Sequence, residues 1–374
     1  MVFTQKGFQV SQTVKEKHGL ALLKEGLPLD LISKHRNALF GISILWIVIF
    51  HSHGYGVWLG SLGKMNIINL LVLYGNVGVD IFLLLSGMGL YFSFKKNEQI
   101  IPFIKRRLIR VLPPVFIIWG VVWGVRFLIL TPSLQAFLQR ILLMRFWLKN
   151  DGQIWFVNFI LVLYLLYPII YHYLFDKKHA LARVLIAIGC VFVFNFALQY
   201  AYPAFWRYAE IAFTRIPITL FGCYLGKMIY EKKKLPAFLS LIICAGIPLL
   251  FYLRFFTVLN GPLHVIWLRT MLGLGGLLLA YLFAIILELL GTGRIAKIVT
   301  IALSFFGWMS LELYLSHFAM KNVYTIYFMK DGAHLSGYFA SAAIAIVIAV
   351  LVRFALDKVP ILFRKVIPVH SVTK

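Results

Sequence analysis

Two histidines, His51 and His53, stand near the far end of an otherwise apolar stretch, Asn37 to Gly54 (NALFGISILWIVIFHSHG). An ionisable side chain inside a membrane-spanning helix is costly and marks function by default. Imidazole is also the side chain most readily tuned to exchange protons near neutral pH. Helical rise sets His51 roughly 20 Å from the start of the stretch, which makes it a candidate general base deep in a bilayer. The alternative is a histidine bonded to a neighbouring helix or resting at the outer interface, the reading that better suits His53.

Three further clusters carry chemistry. In residues 77–96 (VGVDIFLLLSGMGLYFSFKK), Asp80 requires a histidine or arginine on an adjacent helix, either as part of a site or as a structural ion pair. The glycines that follow it permit close helix packing. In residues 103–114 (FIKRRLIRVLPP), Arg106, Arg107 and Arg110 precede Pro113 and Pro114, where the third span is expected to begin. Arg106 and Arg110 are spaced to share a helical face. Three guanidinium groups suit a polyanion such as a nucleotide phosphate, or else fix topology and bind lipid headgroups.

The last cluster lies in residues 305–318 (FFGWMSLELYLSHF). Ser310, Tyr314 and His317 fall on one helical stripe, while Glu312 points elsewhere. Hydroxyl, phenol and imidazole on one face form a proton relay or line a polar path; a structural network is the bland alternative. A straight span here would set Glu312 at about the depth of His51 and His317 further out. Arg126 and Arg269 are intramembrane charges with no partner assignable from sequence.

The elements that must position these groups are membrane helices. The 374 residues are 61% hydrophobic and only 13% charged, and mean hydropathy is +0.87. A soluble domain carries about 25% charged residues. The formal charge of +24 does not point to nucleic acid, because Lys and Arg fall in short clusters between apolar runs, as in cytoplasmic loops. Cys190, Cys223 and Cys244 each sit in an apolar run and give neither a metal site nor a disulfide framework. No cleavable signal peptide is expected.

Apolar runs of spanning length occur near 38–57, 68–93, 112–131, 154–174, 181–200, 209–229, 236–253, 266–288, 299–326 and 337–356. The expected fold class is therefore an all-α polytopic protein of about ten transmembrane helices. With the N-terminus inside, the loops carrying Lys95 to Arg110, Lys177 to Arg183, Lys227 to Lys234 and Arg294 to Lys297 all become cytoplasmic, and so does the C-terminus. Residues 133–147 are too short and too amphipathic to span and are expected along the outer surface. Residues 1–36 are expected to form a cytoplasmic N-terminal segment, either loose or lying at the interface, 37–357 the membrane domain and 358–374 a cytoplasmic tail.

The order of these stretches resembles the membrane-bound acyltransferase-3 family, bacterial multi-spanning enzymes that O-acetylate cell-surface glycans. The residues that carry the resemblance are Gly41 to His51, Gly78 to Phe82 with Ser86-Gly87, Arg106 to Arg110 with Pro113, Trp155 to Val157 with Tyr164 to Pro168, and Ser310 to His317. One departure stands out. The family commonly has a basic residue eleven positions before the first-helix histidine, where this chain has Phe40; Arg36 lies one turn earlier on the same face.

The resemblance implies acyl-coenzyme A, with acetyl-CoA the expected donor, bound from the cytoplasm near Arg36, Arg106, Arg107 and Arg110. It implies His51 as general base, oriented by Asp80 or Glu312, with His317 and Tyr314 holding the acceptor or stabilising oxyanion charge. A covalent acyl-enzyme on Ser310 or Tyr314 is the two-step alternative. The expected acceptor is a cell-surface glycan or lipid-linked sugar, the expected location a bacterial cytoplasmic membrane, and the surrounding partners are lipids. The rival classes are a polysaccharide transporter or exporter, for which no inverted repeat is visible, and a non-catalytic assembly partner. Acceptor identity and oligomeric state are not readable from sequence.

Overall fold

The computed structural model describes residues 29–52, 71–233, 246, 261–291, 293–327 and 335–366. Among them the chain is helical, with no strand. Six helices are long and apolar enough to cross a membrane, or seven when one bent pair counts as a single span. The first apolar helix is shorter as described, and the expected span at 236–253 lies outside the described residues apart from Gly246. His53, Cys244 and most of the N-terminal segment also lie outside them.

A short helix α1 (Asp30–Lys34) leads into α2 (Arg36–His51). Lys34 and His35 both reach Glu288, at 2.7 and 2.8 Å, so the start of the fold is clamped to a distant helix end. Helix α3 (Val77–Lys95) is the centre of the bundle, with 14 of its 19 residues buried. It is apolar all round, the pattern of a helix enclosed by others rather than facing lipid on one side. It packs on α2, on α10 (Ile216–Tyr230) and on α11 (Gly261–Leu289). The glycines make these contacts possible: a Cβ at Gly87 would strike the Thr219 carbonyl, and one at Gly222 the Leu84 carbonyl.

Helix α4 (Ile100–Gly124) runs through Pro113 and Pro114 and ends in a π turn, Val125–Leu130. The span expected to start at these prolines therefore starts at Ile100, with the arginine cluster inside the helix. Proline removes a donor, but neighbouring membrane helices tolerate the break. Helices α5 (Leu134–Ile141) and α6 (Arg145–Lys149) are too short to span, consistent with a surface segment. Next come α7 (Trp155–Leu174), α8 (Ala180–Ala201) and α9 (Pro203–Phe213). Most of α8 is exposed apolar surface, Ile186 and Val193 included, as expected of a helix bathed in lipid.

The run at 299–326 is not one straight span. Helix α12 (Arg294–Trp308) and helix α13 (Ser310–Tyr327) meet at Met309 with a 66° bend. The cause is a very close approach: Gly41 of α2 and Gly307 of α12 each lie where a Cβ would overlap the opposing backbone. Docked on α2 in this way, α12 cannot continue straight, and α13 turns to pack on the last helix, α14 (Leu335–Val366). Helix α14 continues through Lys358, so the boundary expected there is not a break in structure.

One end of the bundle gathers the close of α3, the start of α4 and the close of α7. Tyr91 and Phe94 stack with Tyr171 and Phe175 there. Lys95 pairs with Glu98 at 2.8 Å, and Tyr171 donates to the same carboxylate at 3.0 Å. The Lys95 ammonium holds Glu98 below the usual carboxylate range.

Candidate active site

Helix α2 has a polar group at each end. Arg36 opens it and His51 closes it, about 22 Å apart along the axis.

At the far end, His51 meets His317. Their ring centroids are 5.3 Å apart with planes tilted by 56°. Phe318 covers His51 edge-on at 4.7 Å. His51 Nδ1 lies 2.7 Å from the Ile47 carbonyl oxygen. A carbonyl only accepts, so Nδ1 carries the proton and Nε2 of the neutral ring carries the lone pair. Tyr338 donates its hydroxyl proton to the Val48 carbonyl and stands 3.4 Å from His317 Nε2. With its proton so used, the tyrosine oxygen accepts from His317 Nε2–H. That leaves His317 Nδ1 buried and, among the described residues, without a partner. Two imidazoles thus stand side by side, each with one ring nitrogen not engaged by any described residue. The bend at Met309 is what brings His317 level with His51 rather than further out.

The two carboxylates expected to orient His51 are engaged elsewhere. Asp80 pairs with Arg215 at 3.3 Å, and both side chains are essentially buried, at 1% and 2% exposed. Arg215 also lies over the Trp155 ring, and beside this pair Arg269 binds Glu210 through two contacts, at 3.0 and 3.3 Å. Glu312 pairs with Arg353 at 3.4 Å, and Arg353 in turn holds Asp357 at 3.0 Å. In the described structure a backbone carbonyl, not an acid, orients His51. Sequence reasoning had not singled out Arg215, Glu210, Arg353 or Tyr338. The signal was present for the first three: each is a charge inside an apolar run expected to span.

Ser310 opens α13 at the bend, about 10 Å of helical rise from His317. Among the described residues its hydroxyl makes no hydrogen bond, so no base activates it. The Tyr314 ring packs between Phe156 and Phe318, at 5.5 and 5.0 Å. Lys321 lies one turn beyond His317, its ammonium 6.0 Å from the Phe318 ring that covers His51.

At the near end of α2, Arg36 folds over the Phe40 ring at 5.1 Å and reaches Gly89, where a Cβ would collide with its guanidinium. Arg107 donates to the Gly89 carbonyl at 2.6 Å and lies over the rings of Phe103 and Tyr164. Arg107 and Arg110 both fall within electrostatic range of Arg36. Among the described residues no carboxylate pairs with any of the three. Arg106 and Arg110, expected to share a helical face, are both exposed, and neither makes a side-chain hydrogen bond among the described residues. Arg107 takes the inward place.

Residues 37–356 match the acyltransferase domain of the acyltransferase-3 family, so the chain belongs to that family. Membrane acyltransferase activity follows from this membership, as does a multi-pass membrane setting. No curated relative and no solved structure shows a match to the chain.

Proposed function

We propose that the protein transfers an acyl group, acetyl by family analogy, from coenzyme A bound at the Arg36 end of α2 to a hydroxyl of an extracytoplasmic glycan or lipid-linked sugar at the His51 end. The carrying observation is the His51–His317 pair, with the His51 tautomer set by Ile47. His51 Nε2 takes the proton of the acceptor hydroxyl as its oxygen attacks the thioester carbonyl carbon. The tetrahedral oxyanion is met by the Lys321 ammonium. Collapse breaks the carbon–sulfur bond, and the coenzyme A thiolate receives the proton from the His51 imidazolium. His317 Nδ1 accepts a second hydrogen bond from the acceptor and so orients it.

The donor's phosphates fit three guanidiniums that make no ion pair among the described residues, Arg36, Arg107 and Arg110, with Arg106 at the rim. Arg36, laid over Phe40, supplies the charge that the family places at the Phe40 position. Transfer is direct, since among the described residues neither Ser310 nor Tyr314 has a base beside it. Asp80 and Glu312 hold the helices rather than the imidazole. A bacterial cytoplasmic membrane with both termini inside suits this direction of transfer.

The test uses purified protein in lipid nanodiscs with acetyl-CoA, following thermal stability and release of free thiol. Donor-dependent stabilisation and thiol release that depends on His51 support the reading. Folded protein with neither overturns it.

A further inference from the structure

A cavity of about 180 Å³ lies between the last turns of α4 and the outer half of α13. A single bound water needs only ~10–15 Å³, so the space is large enough for a ligand group. Its polar lining is Arg126, Arg140, Gln153 and Asn322, with Trp123 beside them. Trp123 is 3% exposed, and among the described residues its buried Nε1–H has no acceptor. A buried donor without a partner costs free energy that an oxygen from a ligand would recover.

Charge points the same way. Arg126 and Arg140 flank the Phe127 ring at 5.3 and 4.1 Å. Arg140 is neutralised by Asp151 at 3.0 Å, a carboxylate already shared with Arg145. Among the described residues Arg126 has no acidic partner. The Arg126 guanidinium and the Trp123 indole N–H give the pocket a positive, donor-bearing corner; its two amides are partly engaged, Gln153 donating to Asn322 at 3.4 Å and Asn322 to the Phe318 carbonyl at 3.2 Å. The rest of the wall is apolar, and Val121 and Val125 stand 63% and 44% exposed on the outer face of α4, as lipid-facing residues do. The pocket therefore opens towards the hydrocarbon, the direction from which an amphiphile arrives.

It shares helix α13 with His317. Asn322 follows His317 by about 7.5 Å of helical rise, and Trp119 on the cavity wall donates to the Leu315 carbonyl at 3.1 Å.

We propose that this cavity binds the phosphate of a lipid-linked acceptor, with its chain in the bilayer and its sugar hydroxyl presented to His51. The inference rests on the acyltransferase reading above and narrows its acceptor to an anionic amphiphile.

The experiment measures binding of a prenyl phosphate, the matching prenyl alcohol and phosphatidylglycerol to the protein in zwitterionic nanodiscs. Acetyl-CoA affinity and wild-type thiol release are read from the same preparations. The expected result is that the phosphate binds at least about tenfold tighter than the alcohol, the scale of one charge-assisted hydrogen bond. Arg126→Gln and Trp123→Phe each lower that affinity about tenfold, Arg126→Lys less, with acetyl-CoA affinity and melting temperature retained. Equal binding of phosphate and alcohol, or binding indifferent to both substitutions, overturns the proposal. So does phosphatidylglycerol binding as tightly as the prenyl phosphate through the same residues, which marks a structural lipid site. Intact donor binding and His51-dependent thiol release beside any of these failures leaves the acyltransferase reading standing. Their absence from wild type would remove that reading instead.

Discussion

His51 and His317 come from helices more than 250 positions apart in the chain, yet their rings stand 5.3 Å apart, each with its proton committed to a different backbone-anchored partner. Such a pair accepts hydrogen bonds from a substrate without first losing a proton. His51→Ala is expected to lower acyl transfer by about 10²- to 10⁴-fold, the usual worth of a general base, with an unchanged melting temperature. His317→Ala should raise the KM for acceptor more than it lowers kcat. Thiol-release kinetics over a range of acceptor concentrations separate the two.

The arginines at the other end of α2 are not equivalent. Arg36→Ala and Arg107→Ala are each expected to weaken acetyl-CoA binding by about 10- to 100-fold, as loss of a charge-assisted contact does. Arg106→Ala, at an exposed position, should change it by no more than about threefold. Calorimetric titration of the three variants decides this, and an equal loss in all would return the role to the whole cluster.

The buried pair of Asp80 and Arg215 should be structural. Asp80→Ala leaves an enclosed guanidinium without its partner and is expected to cost about 3–5 kcal/mol. Replacing both residues with leucine and methionine should recover much of that loss. Thermal unfolding in detergent checks the pair. An Asp80→Ala protein of full stability but no activity would assign the carboxylate to the chemistry.

Gly41→Ala should separate α2 from α12, because the new methyl meets the Leu303 carbonyl directly. The expected result is a lower melting temperature together with lost transfer, since the shift also moves His317. Gly124→Ala, where a methyl meets nothing, serves as the control.

Glu98 titrates from below the ordinary carboxylate range because Lys95 favours its charged form. Its contribution to the α3–α4 connection is therefore present above the unfolded-state pKa and is lost as pH falls through the lower folded value. Hydrogen exchange at this connection should accelerate in acid in the wild type. In Glu98→Gln it should be insensitive to that change.

The all-helical, multi-pass character was legible because apolar length is a local signal. His51 and the arginine stretch stand out in the sequence for a similar reason, each an ionisable exception in its surroundings. Partner choice was not legible. Asp80 selects Arg215 from 135 positions away, a choice made by helix packing, and no spacing rule reports it. The bend at Met309 was hidden for a related reason. Hydropathy runs unbroken through it, and only the contact between Gly41 and Gly307 forces the turn. That Arg107, among the three arginines named, is the one turned to Gly89 depends on where α3 stands, which no spacing reports.

Because Arg36 and His51 share one unbroken helix, the proposed reaction would have a built-in ruler. If the donor is held by its phosphates at one end, the number of residues in α2 sets which bond of the donor lies beside the imidazole. Inserting one residue within α2 would lift His51 by about 1.5 Å and swing it by about 100°. The length of this helix therefore acts as a selector of the donor, written in the chain as a count of residues rather than as a pocket.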